Sequence, residues 1–152
     1  MREIENIGDL QNLVGTEIGV SDWIVIDQER VNKFADATGD HQWIHVDVER
    51  ASREMPGGST IAHGYLTLSL IPLLMSRIMQ IKNVSSRVNY GSNRVRFTNM
   101  VVTGSRVRAR LVLKGVEPFK NNGVQITNEV TIEIEGQERP ACIAETVTIA
   151  YP

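Results

Sequence analysis

In ADATGDHQWIHVDVERA, residues 35–51, the side chains of Asp40, His41, His45 and Asp47 fall within eight positions. A carboxylate paired with an imidazole is a minimal acid–base device. The Asp holds a water or fixes the ring tautomer, and the His exchanges a proton near neutral pH. Gly39 lets the backbone leave a preceding helix sharply, so the loop TGDHQWIH can aim Asp40 and His45 into one space while Trp43 and Ile44 anchor it by packing. The plainer reading is that Asp40 caps a turn and His45 is an ordinary core or surface histidine. His41 and His45 also have the i, i+4 spacing that sets two imidazoles on one metal, with Asp40 or Asp47 adding oxygen. Gly39 and the short loop oppose the continuous helix this needs, so no metal site is expected and His41 is read as facing solvent.

A second place for chemistry is STIAHGYLT, residues 59–67. The first turn of a helix presents N–H groups without internal partners, and a glycine lets a carbonyl approach them. Gly64 can therefore form an oxyanion hole, where one donor is worth about 2.7–4 kcal/mol. The same glycine could instead serve close helix packing. No Gly-x-Ser-x-Gly elbow, phosphate loop or Rossmann glycine pattern occurs.

The elements that must position these residues change period midway. Asp27 is a plausible N-cap for a helix with Val31, Phe34 and Ala35 on one face, ending at Gly39. Asp47 caps a short helix through VERASRE until PGGS breaks it. A long apolar helix follows, capped by Ser59 or Thr60 and kinked at Pro72. Its stretch, residues 61–81, is long enough for a spanning helix, but His63, Arg77 and the missing charged flank make it a core helix. Beyond Asn83 the period is two. Val107, Ala109, Leu111 and Leu113 alternate with Arg106, Arg108 and Arg110, and Val124, Ile126, Val130, Ile132 and Ile134 repeat the pattern. Shorter strands are expected at DWIVI, RVNY, NRVRF and CIAETVTIA. An antiparallel meander with one apolar face needs a cover, and the apolar helix supplies it. The expected class is α+β, a hot-dog fold with the sheet wrapped around a long central helix.

The 152 residues suit one domain, 1–152, with 41% hydrophobic and 22% charged residues. A net charge of −2 offers no basic field for nucleic acid. The lone Cys142 forbids an internal disulfide and fits a reducing cytoplasm, and the N-terminus lacks the apolar core of a signal peptide.

ATGDHQWIH, followed by IAHGYLTLSL and RVRFTNMVVTGSRVRA, resembles the MaoC-like dehydratases, the (R)-specific enoyl-CoA hydratases, and within them the nodulation-protein-N-like branch. Gly39, Asp40, Ile44 and His45 match the hydratase signature Gly-Asp-x-Asn-Pro-(aliphatic)-His, while Gln42 and Trp43 replace its Asn and Pro. The resemblance implies that Asp40 and His45 are the catalytic pair and that Gln42, an amide on a longer arm, orients the site. It implies a homodimer with sheets joined edge to edge, no cofactor beyond the coenzyme A of the substrate, and syn addition of water to trans-2-enoyl-CoA to give (R)-3-hydroxyacyl-CoA. Thr60, Ile61, Ala62 and His63, with Ser86, Arg87, Val88 and Asn89, are expected along the acyl and pantetheine path. Arg87, Arg94 and Arg96 are candidate phosphate contacts, or else solvated charges on a wet strand face. A thioesterase and a non-catalytic acyl-thioester binder are the competing readings.

Overall fold

The computed structural model describes residues 1–152. Helix α1 (Gln28–Thr38) starts where the Asp27 carboxylate accepts from Arg30 N–H at 2.9 Å, and ends at Gly39, whose φ of 81° few other residues adopt. The short α2 (Trp43–Val46) follows, then α3 (Val48–Glu54), where Asp47 accepts from Arg50 N–H.

The apolar segment after it departs from expectation. It forms two helices, α4 (Gly64–Ser69) and α5 (Ile71–Ser76), meeting at Leu70. Pro72 lies in the first turn of α5, where its missing N–H costs nothing, so the break precedes the proline. Neither Ser59 nor Thr60 is the cap; His63 is. Residues 60–62 are instead extended along 101–103, with Ala62 N–H donating to Val101 and Thr103 N–H to Thr60. Sheet pairing thus takes the backbone groups a longer helix would have used.

The strands are β1 (Arg2–Ile4), β2 (Glu17–Val20), β3 (Ile24–Val25), β4 (Met79–Ile81), β5 (Ser86–Phe97), β6 (Arg106–Pro118), β7 (Val124–Ile134) and β8 (Cys142–Tyr151). The main sheet runs β2-β6-β7-β8-β5 and is antiparallel, with β3 also on β6, while β1 and β4 form a parallel pair. Only β6, β7 and β8 make the expected meander. RVNY and NRVRF are one strand, β5, bulged after Asn89 and again after Ser92, and DWIVI contributes only Ile24 and Val25. No alternation marked β1, β2, β4 or the 3-10 helix Ile7–Leu13, all short pieces.

The period-two reading holds on β6, where Val107, Ala109, Leu111 and Leu113 are buried. Its arginines face water in an ion-pair ladder, Arg106 with Glu135, Arg108 with Glu133, and Arg110 with Glu133 and Glu17. On β7 the inward row contains Asn128, 1% exposed among isoleucines and valines. Helix α4 packs on β8 and α5 on β6, so the sheet wraps its cover as expected, with the central helix cut in two. No helix is long and apolar enough to cross a membrane.

Candidate active site

The turn after α1 and the segment entering α4 meet. Asp40 leaves Gly39 with its carboxylate 54% exposed and Oδ1 accepting from Gln42 N–H at 3.3 Å. Five residues on, His45 lies in α2 and is only 7% exposed. Its Nδ1 is 2.7 Å from the Ile61 carbonyl. A carbonyl only accepts, so Nδ1 carries the proton and Nε2 keeps a lone pair. Ile61 also donates its N–H to Ile44, so one residue holds α2 at two points.

His63, placed by sequence only along a substrate path, is part of the cluster. It is 3% exposed, its ring stacks on His45 with centroids 3.8 Å apart, and its Nε2 donates to the Asp40 carbonyl at 2.9 Å. One ligand-type atom from each of Asp40, His45 and His63 lies within 4.8 Å of the others. Such a trio invites a metal, but its two nitrogens belong to stacked rings only 23° from parallel, with centroids 3.8 Å apart. One ion at the usual ~2.0–2.1 Å from both nitrogens would sit far out of each ring plane. His41 takes no part: its half-exposed ring bonds Asp36 at 2.8 Å, which raises its pKa. Asp47 is spent on capping α3.

Gly64 is the first residue of α4, directly after His63, and its N–H finds no backbone acceptor. A Cβ there would stand 3.0 Å from the Phe97 ring, which in turn meets Tyr65 edge-on. A side chain here would need the half-exposed Phe97 ring to give by a few tenths of an ångström, so close packing favours the glycine.

Behind the pair is a support that carried no sequence signal. Gln28 donates to the His45 carbonyl at 2.8 Å and accepts from the Thr60 hydroxyl at 2.6 Å, and Thr60 reaches Thr103 at 2.8 Å. Thr60 and Ala62, expected along the substrate path, are buried in this structure. Gln42 caps α2 through its backbone, and its exposed side chain makes no hydrogen bond within the chain. Arg87 and Asn89 line a cavity of about 600 Å³ with Leu68, Ile71, Thr146 and Thr148, away from Asp40 and His45, while Ser86 and Val88 lie exposed beside it. Arg94 and Arg96 enter no ion pair.

Burial lowers the pKa of His45, the Ile61 bond opposes that, the His63 ring adds to it and Asp40 opposes it. The ring is therefore neutral at pH 7, ready to take a proton. The acid limb of a kcat/KM profile should inflect below 6.5, the ordinary imidazole value. An inflection at or above it would mean a solvated ring. The sign for stability is the same: the contribution of this neutral ring is full above 6.5 and is lost as pH falls through its lowered folded value.

Residues 9–134 match the MaoC like domain family. A 3-hydroxyacyl-thioester dehydratase Z from Mycobacterium tuberculosis is 52% identical over 147 residues, 97% of each chain. A Nodulation protein N from Rhizobium leguminosarum is 47% identical over 95% of this chain and 90% of its own. Among solved structures, an (R)-hydratase from A. caviae superposes with a TM-score of 0.69 at 22% identity, covering 89% of this chain and 94% of that one, a likeness of hot-dog fold. Matched across most of its length and half identical to a relative along nearly the whole of both, the chain belongs to the MaoC-like dehydratase family and is a hydro-lyase of the dehydratase–hydratase type.

Proposed function

We propose that this chain is an (R)-specific enoyl-CoA hydratase, adding water to trans-2-enoyl-CoA to give (R)-3-hydroxyacyl-CoA and catalysing the reverse dehydration. The observation that carries the reading is that ligand-type atoms of Asp40 and His45 lie within 4.8 Å of each other while His45 is hydrogen-bonded to Ile61 and Asp40 to His63, in the segment that leads into Gly64. Asp40 and His45 hold one water between them. As its oxygen bonds to C3, His45 Nε2 takes a proton, the C2–C3 π electrons move toward the thioester, and C2 receives a proton from the pair. Delivery of both from one side makes the addition syn. Gly64 N–H donates to the thioester oxygen as enolate charge develops there. Proton transfer of this kind contributes about 10²–10⁴-fold, so the amide donor is needed as well.

No cofactor is required, because coenzyme A enters with the substrate. The partner is a second copy of the chain: β5 is an open sheet edge, with Val88, Tyr90 and Phe97 exposed along it. The lone buried Cys142 suits a reducing cytoplasm.

Crotonyl-CoA tests the reading. Loss of enoyl absorbance without free thiol, with (R)-3-hydroxybutyryl-CoA as product, is the expected result. Release of free thiol would instead identify a thioesterase, and binding without turnover a non-catalytic acyl-thioester binder.

A further inference from the structure

We propose that His63 is a positioning residue for the Asp40–His45 pair, clamping the Asp40 turn through its Nε2–H and fixing the plane of the His45 ring by stacking against it. The inference rests on the hydratase reading for its kinetic arm only. Its geometric basis is the four-residue segment Ile61–Gly64, which touches every reacting group. The Ile61 carbonyl holds His45 Nδ1 at 2.7 Å, the His63 ring holds the Asp40 carbonyl at 2.9 Å, and Gly64 supplies the free amide. The His63 carbonyl meanwhile accepts from Leu66 and Thr67 N–H, starting α4. One residue therefore ties the position of the proton-transfer pair to that of the amide donor, across a substrate only a few bonds long. Half-ångström placement matters at that scale.

The other nitrogen of His63 argues that the imidazole is not filler. Nδ1 is buried and has no hydrogen-bond partner. An orphaned buried polar atom is costly, and a phenyl or isobutyl group would fill the same space beside Phe34 without that cost. The ring is explained by what Nε2 holds and by the flat face it offers His45. That face also excludes water from His45 and works against a second positive charge. The titratable groups acting on His45 are Asp40, from the turn after α1, and His63 itself; the Ile61 carbonyl is its hydrogen-bonded neighbour.

Two substitutions separate the functions. His63→Phe keeps a stacking face and loses the donor; kcat is expected to fall about tenfold, the worth of one ordinary hydrogen bond, with the acid limb still below 6.5. His63→Gln keeps an N–H donor and loses the face; the acid limb is expected to move up toward 6.5 as water reaches His45. Wild-type kcat and an unmoved acid limb in both folded variants would overturn the proposal. Imidazole ¹⁵N NMR of the unmodified protein tests the clamp independently of turnover or variant folding. His63 is expected as the Nε2–H tautomer, and the Nδ1–H tautomer would break the clamp. If crotonyl-CoA is not hydrated but this tautomer is found, the substrate reading fails while the clamp on the Asp40 turn stands.

Discussion

His45→Gln is expected to lower kcat for crotonyl-CoA hydration by about 10²–10⁴-fold while KM changes little, because the proton is transferred only in the transition state. Glutamine keeps an N–H that can answer the Ile61 carbonyl, so the loss is chemical rather than structural. Asp40→Asn should fall in the same range. The Asp40 carboxylate is half exposed, its one side-chain hydrogen bond is a 3.3 Å contact from Gln42 N–H, and it stands 4.0 Å from His63 Nε2, so little of the fold depends on its charge. Its replacement should change stability by no more than about 0.5 kcal/mol. Steady-state kinetics beside thermal melts check both variants. Full activity in either folded variant removes that side chain from the mechanism. On the proposed mechanism, in which the two act on one water, the double variant should be hardly worse than the slower single one.

The amide of Gly64 is tested by comparing Gly64→Ala with Gly64→Pro. Both place a Cβ 3.0 Å from the half-exposed Phe97 ring, which must move by a few tenths of an ångström, so both carry the same steric cost. Only proline removes the N–H. The site tolerates proline's backbone: Gly64 is the first helical residue, where proline is favoured, and His63 at φ −59° and ψ 137° already has the extended form that precedes one. The proline variant should therefore turn over about 10²–10³-fold more slowly than the alanine variant. Equal kcat values would mean that this N–H is not where charge develops. Partial recovery of Gly64→Ala stability by Phe97→Leu would separate the steric cost from the electronic one.

The helix ends that flank the candidate site were legible in local chemistry. Asp27, Gly39 and Asp47 do what their types dictate at helix ends, because a cap needs only a side chain and the next turn of backbone. Arg106 to Leu113 alternates because one face of β6 is wet and the other dry. The central helix was misread for an equally physical reason. Apolar residues at 61–81 satisfy helical spacing, but whether residues 60–62 join a helix or pair with 101–103 depends on a segment some forty residues away. Asn128 likewise sits on the buried row of β7, where alternation predicts only an apolar side chain.

The sequence by itself determined the chemical inventory: which carboxylate, which imidazole and which bare amide were available, and the local turns that expose them. Only the tertiary structure decided that His63 joins them, that Gln28 and Thr60 brace His45 from behind, and that Phe97 closes over Gly64. Turn and cap energetics act over four or five residues and leave their mark in adjacent letters. Contacts between residues 16 to 33 positions apart depend on how α1, α2, the entry to α4 and β5 pack together, which no local spacing encodes.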